Sequence, residues 1–322
     1  MEHSSVSVVV PVYDSEAVLG ELIVRLEPVL RECTSVFEVV LVNDGSHDKS
    51  WQVICDLAEK YPFVRGLDLM RNYGQHNALL AGVRAAQYEI IITMDDDLQH
   101  PPEEIPRLLD KLAEGYDVVY GTPEKKRHEV WRNMASEMIR LVLRGAMGAE
   151  TARKAGPFRT FRARVCDAFA DYQSTFVAID VLLTWGTTRF ASIPVRHDYR
   201  HNRASRYNFF KLIAYALDMM TGFSTLPLQL ASLMGFAFTF FGLAVLVYVV
   251  GSYLIRGGIM PGFAFLASVI AIFSGAQLFA LGIIGEYLAR VHFRMMARPP
   301  YVIWRTTASD KGMGEQHELR GR

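Results

Sequence analysis

Three consecutive aspartates, Asp95, Asp96 and Asp97, follow the apolar run Ile90-Ile-Ile-Thr-Met94. Carboxylates packed this closely repel one another unless a cation offsets their charge. Mg²⁺ and Mn²⁺ prefer oxygen ligands, and such ions commonly bridge one or two carboxylates to the phosphates of a substrate. In an extended segment Asp95, Asp97 and Gln99 point to one side. We therefore predict that these three residues form a Mg²⁺ or Mn²⁺ site, with Asp96 directed elsewhere.

The alternative interpretation is a solvated acidic turn in front of a helix that begins near Pro102. The metal site is favoured because the aspartates end the fourth strand of an alternating α/β pattern, which runs from Val6 to about Gly121. Such a pattern predicts a parallel sheet with helices on both faces. The predicted strands are Val6–Val10, Glu38–Val42, Val64–Leu69, Glu89–Met94 and Asp117–Tyr120, and the predicted helices start near Ser15, Lys49, Asn77 and Pro102.

Polar loops follow the first four predicted strands, and the chemistry of parallel sheets lies beyond the carboxyl ends of their strands. We therefore expect four loops to converge on one rim. No Gly-x-Gly-x-x-Gly loop follows the first strand and no Gly-Lys-Ser/Thr loop is present, which argues against a dinucleotide cofactor and a P-loop nucleotide site. The four loops are Pro11-Val-Tyr-Asp14, Asn43-Asp-Gly-Ser46, Arg71-Asn-Tyr-Gly-Gln-His76 and Asp95-Asp-Asp-Leu-Gln-His100.

Charged residues are distributed unevenly along the 322-residue chain. The formal charges cancel at 34 against 34, so net charge gives no support for nucleic-acid binding. No Asp, Glu, Lys or Arg occurs from Met219 to Ile255 or from Gly257 to Gly285. Each stretch exceeds the roughly 20 residues that a helix needs to cross a bilayer. Two buried core helices are the alternative, but core helices seldom run this long without a charge, so we predict two membrane spans.

The flanks of these spans predict their orientation. Residues Met1 to Ser7 lack the features of a signal peptide, so we expect the first two hundred residues to stay in the cytosol. Basic residues follow the second span closely, and basic flanks favour the cytoplasmic side. Both ends of the hairpin should therefore face the cytosol. The basic residues are Arg290, Arg294 and Arg298.

Two segments outside the predicted sheet have amphipathic patterns. Arg132, Ser136, Arg140 and Arg144 fall at i, i+4 spacing, which places them in one row on a helix near 128–147. This helix either lies in the membrane interface or packs on the sheet with a solvated polar face, and the sequence favours neither. Asn208 to Met220 is rich in apolar residues and directly precedes the first span, so we predict an interfacial helix there.

These motifs together resemble the family 2 glycosyltransferases of GT-A fold that act on polyprenyl phosphates, including the bacterial undecaprenyl-phosphate transferases and, more distantly, dolichol-phosphate mannose synthase. The resemblance extends over nearly the whole chain. It is carried by Val10-Pro-Val-Tyr-Asp14, Val42-Asn-Asp-Gly-Ser46, Arg71-Asn-Tyr-Gly74, Asp95-Asp-Asp-Leu-Gln99, Gly285-Glu-Tyr-Leu-Ala-Arg290, Arg298-Pro-Pro-Tyr301 and the two spans.

The resemblance implies a role for each matching residue. Asp95 and Asp97 would act in catalysis through the metal, together with Arg132. The nucleotide sugar, with UDP as the expected nucleotide, would be bound by Pro11, Tyr13, Asp14, Asp44, Gly45, Arg71 and Asp96. The acceptor phosphate would be bound by Arg132, Ser136, Lys126, Arg127, Ser205 and Arg206. The cluster at 125–127 could instead form a solvated turn or contact lipid headgroups.

The chain also departs from the family pattern at three places. Asp14-Ser15 stands where relatives usually have Asn-Glu, and Arg203-Ala204 replaces a Gly and an acidic residue. Pro157-Phe-Arg159 stands where glucose-type relatives have Asp-Phe-Arg. The incoming nucleophile would be a phosphate oxygen that is already ionised near pH 7, so no strong general base is needed and the missing carboxylate is tolerable. A single displacement would invert the anomeric centre.

The expected organisation is a GT-A domain over 1–204, an interfacial segment over 205–228, two transmembrane helices over 229–290 and a basic cytosolic tail over 291–322. Such a protein would act at the bacterial inner membrane in cell-envelope glycan or lipopolysaccharide modification, with a homo-oligomer as one possible assembly. Two alternatives are a processive polysaccharide synthase and a non-catalytic scaffold or lipid-translocation partner. Against the synthase, Trp185 stands in Thr-Trp-Gly-Thr and not in a Gln-x-x-Arg-Trp motif.

Overall fold

The computed structural model describes residues 5–123, 156–174, 176–197, 226–256, 262–296 and 298–307. The chain forms two compact units. The first comprises Met1–Tyr207 and Ala297–Arg322, and the second comprises Asn208–Met296. The rim predicted from the sequence belongs to the first unit, and both predicted spans belong to the second.

The first unit is built on an eight-stranded sheet whose order is β7-β5-β6-β4-β1-β2-β3-β8. The strands are β1 (Val6–Val12), β2 (Phe37–Asn43), β3 (Val64–Leu69), β4 (Ile90–Thr93), β5 (Val118–Pro123), β6 (Arg159–Arg162), β7 (Phe190–Val195) and β8 (Ile303–Thr306). The helices are α1 (Leu19–Cys33), α2 (Ser50–Lys60), α3 (Gln75–Ala85), α4 (Ile105–Ala113) and α5 (Ile179–Gly186), with 3₁₀ turns at Pro102–Glu104 and Ala163–Phe169.

The central strands are parallel, as the alternating pattern predicts. β1 pairs in parallel with β2 and β4, and β2 pairs in parallel with β3. β6 is antiparallel to both β4 and β5, and β8 is antiparallel to β3. The sheet is therefore mixed but mostly parallel, which confirms the predicted fold class.

Hydrophobic side chains on both faces of the sheet are covered by helices. Val8 and Val10 of β1 pack in one core with α1, α2 and α4, while Val9 packs in a second core with α3 and α5. This division follows from the two-residue period of a strand, whose successive side chains point to opposite faces. Because both faces are buried, these strands read as continuous apolar runs.

Three strands are absent from the sequence prediction, which ends the alternating α/β pattern near Gly121. β6 is only four residues long and contains two arginines, so it has no apolar run to indicate a strand. β7 contains Pro194, which lacks a backbone donor and is tolerated because β7 lies at the sheet edge. β8 forms part of the predicted basic tail and becomes the opposite edge of the sheet.

The second unit contains the helices α6 (Leu226–Arg256) and α7 (Phe263–Met295). The segments Pro227–Ser252 and Ile272–His292 are long and apolar enough to cross a membrane. The Phe273 ring of α7 lies 5.5 Å from the Phe238 ring of α6. The predicted helices near 128–147 and over Asn208–Met220 lie outside the described residues.

Candidate active site

Hydrogen bonds connect the loops that follow β1, β2 and β4. The backbone N–H of Tyr13 donates to Asp96 Oδ2 at 3.4 Å. The backbone N–H of Asp14 donates to Ser46 Oγ at 3.1 Å, and that of His47 donates to Asp14 Oδ1 at 2.8 Å. Three of the four loops singled out in the sequence therefore meet at one rim of the sheet.

Asp44 attaches the fourth loop to this rim. Its side chain is buried and accepts hydrogen bonds from the backbone N–H groups of Tyr73 at 2.7 Å and Gly74 at 2.8 Å. Burial raises the pKa of Asp44, whereas these two hydrogen bonds act to lower that pKa. Both carboxylate oxygens are thus engaged in holding the loop after β3 beside the loop after β2.

Gly45 allows these two loops to approach closely because it has no side chain. Its φ is +64°, a conformation that L side chains rarely adopt. A Cβ atom at this position would lie 2.5 Å from the backbone nitrogen of Asn72 and 2.6 Å from the carbonyl carbon of Arg71. Arg71 itself is exposed, and its guanidinium lies 4.6 Å from the centre of the Tyr73 ring. Glycine is therefore required here both for its backbone conformation and for space.

The aspartate segment turns sharply after β4. Gln75 Nε2, at the start of α3, donates to Asp95 Oδ1 at 2.5 Å, and the backbone N–H of Gln99 donates to Asp97 Oδ1 at 3.2 Å. Leu98 between them has a φ of +58°. The extended geometry assumed in the sequence analysis is therefore wrong, because the strand ends at Thr93 and the chain turns. The assignment of Asp95, Asp97 and Gln99 as metal ligands stays a prediction.

The donor set at this turn fits a hard divalent cation. Asp95, Asp97 and Gln99 offer carboxylate and amide oxygens, which are the ligands that Mg²⁺ and Mn²⁺ accept. Burial raises the pKa of the neighbouring Asp96, hydrogen bonds from Ser15 and Tyr13 oppose that shift, and the charge of Asp97 adds to it. Within the described ranges, no three His, Cys, Asp or Glu side chains form a metal cage. The arrangement suits a cation that takes further ligands from a bound phosphate.

Two histidines beside the aspartates have no role in the sequence analysis. His100 is buried, and its ring lies 5.0 Å from the ring of His197 and 5.4 Å from that of Phe158. Burial lowers the pKa of His100 to about 4, and the charge of His197 adds to this effect while that of Asp97 opposes it. His197 follows β7, so its position at the rim could not be predicted while that strand was missed.

Arg159 forms a buried polar cluster below the aspartates. Its side chain is 1% exposed, forms an ion pair with Asp180 on α5, and donates through Nε to Thr93 Oγ1 at 2.9 Å. The Thr93 hydroxyl donates in turn to the carbonyl oxygen of Pro157 at 2.9 Å. The segment that departs from the family pattern, Pro157-Phe-Arg159, is thus attached to the strand that ends at the aspartates.

The predicted acceptor residues lie outside the described residues, so their roles stay predictions. They are Lys126, Arg127, Arg132, Ser136, Ser205 and Arg206.

The first unit is thus a mostly parallel sheet of the GT-A type, with three aspartates and polar loops on one rim. Residues 7–173 match the family described as Glycosyl transferase family 2. The chain belongs to this family, and it is a glycosyltransferase.

Curated relatives match the chain over nearly its whole length. One is an undecaprenyl-phosphate 4-deoxy-4-formamido-L-arabinose transferase from Proteus mirabilis (strain HI4320), which is 36% identical over 98% of this chain and 98% of its own. Another protein of the same name, from Pseudomonas paraeruginosa (strain DSM 24068 / PA7), is 36% identical over 93% of this chain and 89% of its own. The similarity therefore includes the second unit as well as the sheet.

Solved structures share part of this fold. Glucosyl-3-phosphoglycerate synthase from Mycobacterium tuberculosis, in complex with Mn²⁺, UDP-glucose and phosphoglyceric acid, aligns with a TM-score of 0.51 at 16% identity. The alignment covers 68% of this chain and 78% of that chain. At this identity the similarity establishes a shared fold and no more.

Proposed function

We propose that this protein transfers a sugar from a nucleotide sugar to undecaprenyl phosphate or a related polyprenyl phosphate. The observation that carries this proposal is the similarity to undecaprenyl-phosphate sugar transferases over 98% of both chains. That similarity includes the loop rim and the two helices that are long enough to cross a membrane. A lipid-linked acceptor explains why the two features occur in one chain, because such an acceptor must be held at a bilayer.

The donor is bound at the rim. We assign its nucleotide to Pro11, Tyr13, Asp14, Asp44, Gly45, Arg71 and Asp96, with UDP as the nucleotide. Tyr13 is 40% exposed, so its ring is available to stack on a base, whereas Asp44 acts by holding two loops in place. The names of the relatives make UDP-linked 4-deoxy-4-formamido-L-arabinose the first donor to test.

Asp95, Asp97 and Gln99 would hold Mg²⁺ or Mn²⁺ beside the donor diphosphate. A cation at this position would neutralise the charge that develops on the departing nucleotide. The Gln75 side chain fixes the orientation of Asp95, and the backbone of Gln99 does the same for Asp97.

The acceptor phosphate would be bound by Arg132 and Ser136, with Lys126, Arg127, Ser205 and Arg206 close by. Cationic side chains serve here because two anions, the donor diphosphate and the lipid phosphate, have to approach each other. The acceptor oxygen is ionised at neutral pH, so Pro157 can stand where glucose-type relatives carry an aspartate. A single displacement inverts the configuration of the anomeric carbon.

The orientation follows from the basic residues after the second span, which favour the cytoplasmic side. We therefore place the rim on the cytosolic face of the bacterial inner membrane, with residues 1–204 and 291–322 in the cytosol. The interfacial segment would occupy 205–228 and the two spans 229–290. Self-association of the protein in the membrane would be compatible with this arrangement.

The proposal is tested by donor consumption. Purified protein in detergent is incubated with Mn²⁺, a UDP-sugar and either undecaprenyl phosphate or undecaprenol, which lacks the phosphate. We expect UDP release only when the phosphate-bearing lipid is present. If UDP were released as fast with undecaprenol, or with no lipid, as with undecaprenyl phosphate, the proposed acceptor would be contradicted.

A further inference from the structure

An unbroken series of hydrogen bonds connects β8 to the rim. Arg305 Nε on β8 donates to Asp68 Oδ2 on β3 at 2.9 Å. Asn43 Nδ2, at the end of β2, donates to Asp68 Oδ1 at 2.6 Å. Ser46 Oγ donates to Asn43 Oδ1 at 2.5 Å and accepts from the backbone N–H of Asp14 at 3.1 Å. The strand that follows α7 is thus linked to the loop that follows β1.

The middle of this series is buried, which makes its partners difficult to replace. Asp68 and Asn43 are each 3% exposed. A buried carboxylate that loses its cation is left with an uncompensated charge, which is strongly unfavourable. In the described part of the chain, Arg305 is the cation that forms an ion pair with Asp68. The orientation of Asp68 therefore depends on Arg305.

Two aromatic rings fix the position of Arg305. Its guanidinium lies 4.9 Å from the ring of Trp51 on α2 and 4.3 Å from the ring of Trp304 on β8. Stacking of this kind favours one orientation of the planar guanidinium. The cation that pairs with Asp68 thus contacts one ring from α2 and one from β8.

Each bond in the series also determines the next. Because the Asn43 amide nitrogen donates to Asp68, its oxygen faces Ser46 and accepts from that hydroxyl. The Ser46 hydroxyl oxygen in turn accepts from the backbone N–H of Asp14. The φ of Asp14 is +49°, a left-handed conformation that is unfavourable for most residues other than glycine. The strained conformation of Asp14 is held in part from β8, at the far end of the series.

We propose that Arg305 is a positioning residue for the nucleotide-sugar donor, acting through Asp68, Asn43 and Ser46 on the loop at Asp14. This inference rests on the proposed donor site. It assigns to the segment after the membrane hairpin a part in donor binding, although that segment is remote in sequence from the other donor residues.

The test measures binding of UDP, and of GDP in parallel, to the full-length protein in detergent with Mn²⁺ present. Calorimetry gives the affinity, and thermal unfolding is recorded for each variant. We expect Arg305→Ala to weaken UDP binding about five- to tenfold and Arg305→Lys to weaken it less. The matched control is Arg31→Ala, because Arg31 also pairs with a carboxylate, Glu27, and lies 5.8 Å from an aromatic ring, that of Phe37.

A double variant distinguishes positioning from general loosening of the sheet edge. If Arg305 and Ser46 act in one series, Arg305→Ala combined with Ser46→Ala binds UDP no more weakly than the worse single variant. In steady state, the KM for the donor should rise while the KM for polyprenyl phosphate stays unchanged.

The outcomes separate the two proposals. If the wild-type protein binds UDP but Arg305→Ala binds it as tightly as Arg31→Ala does, the role of Arg305 is overturned and the donor site stands. A lower unfolding temperature alone, with unchanged affinity, would also overturn that role. If the wild-type protein binds neither UDP nor GDP, the proposed donor site fails and this inference fails with it.

Discussion

At the scale of single residues, the rim depends on side chains that bind backbone groups of neighbouring loops. Asp44 accepts from two N–H groups after β3, and Asp14 accepts from the N–H of His47. Such bonds fix the loops before any substrate binds, and a preorganised site pays less to order itself on binding. After β4, Asp97 likewise accepts from the backbone N–H of Gln99, whereas Asp95 accepts from the Gln75 side chain, and both are proposed cation ligands.

Replacing Asp97 tests the metal assignment. We expect Asp97→Asn to reduce turnover by at least about a hundredfold, because the charge that would bind the cation is lost. Asp56→Asn is the matched control. Asp56 is exposed on α2, and its carboxylate accepts a hydrogen bond from Gln52. The measurement is initial rate against Mn²⁺ concentration. Equal rates in the Asp97 variant and the control would contradict the assignment.

Gly45 provides a second test at this scale. Gly45→Ala forces a side chain into a left-handed conformation and against the backbone of Asn72, so we expect a loss of roughly 1–3 kcal/mol in the free energy of unfolding. Gly20→Ala is the control, because Gly20 lies inside α1 with no atom within 4 Å of an added Cβ. That change should be neutral or stabilising by about 0.5–1 kcal/mol. Similar unfolding temperatures for the two variants would be evidence against the close approach of the loops.

The sequence predicted which residues lie at the rim but not how they are oriented. Asp44 and Asp95 follow apolar strands, and a strand end is a strong signal in a parallel sheet. Pro11, which the sequence placed in a loop, lies inside β1 near its carboxyl end. The turn at Leu98 and the approach of His197 depend on contacts between segments far apart in the chain, so no local pattern reveals them. The same holds for the pairing of Asp68 with Arg305.

At the scale of elements, the first five strands were predictable because they are buried on both faces and rich in β-branched residues. The later strands were not, because their pairing is set by tertiary contacts. Asp117, just before β5, shows this clearly. It accepts hydrogen bonds from Arg164 at 2.7 Å and Thr187 at 2.8 Å, which attach the segments after β6 and before β7 to the start of β5.

Asp117 predicts a pH-dependent contribution to stability. Burial alone would raise the pKa of Asp117, but hydrogen bonds from Arg164 and Thr187 and the nearby charge of Arg189 lower it. A depressed carboxyl pKa contributes stability above the unfolded-state pKa, and that stability is lost as the pH falls through the folded-state pKa. We expect Asp117→Asn to lower the free energy of unfolding by about 1–2 kcal/mol at pH 7.

The measurement is the unfolding temperature of the wild-type and variant proteins between pH 7 and pH 3. The difference should stay constant down to about pH 5 and shrink as the pH falls below the ordinary Asp value of 3.8. Asp171→Asn, at an exposed position, is the control, and at pH 7 it should lower the unfolding temperature less than Asp117→Asn does. A difference for Asp117→Asn that grows on acidification would contradict the sign of the pKa shift.

At the scale of the whole molecule, the chain leaves the sheet for the helical unit and then returns to it. The return through β8 completes the edge beside β3 and supplies Arg305 to Asp68. A domain boundary at residue 204, as the sequence suggested, therefore omits part of the first unit. This strand is not predictable from local patterns because Ile303–Thr306 is short and follows a membrane-length helix.

The return of the chain predicts a difference between two shortened proteins. A version that ends at residue 204 should unfold at a lower temperature and aggregate more than one in which residues 298–322 are joined to residue 204 by a flexible linker. The shorter version exposes the edge of β3 and leaves Asp68 without its cation. Light scattering during thermal unfolding compares the two. Equal behaviour would show that β8 contributes little to the sheet.

Mass spectrometry of the lipid product shows whether this glycosyltransferase makes a polyprenyl-phosphate sugar. Membranes containing the protein are incubated with undecaprenyl phosphate, Mg²⁺ or Mn²⁺ and a panel of UDP- and GDP-sugars, with Asp97→Ala membranes in parallel. We expect a new glycosyl phospholipid that is absent from the Asp97→Ala sample and whose mass identifies the sugar. Folded protein that binds nucleotide but yields no glycosyl phospholipid with any donor would contradict the proposed function.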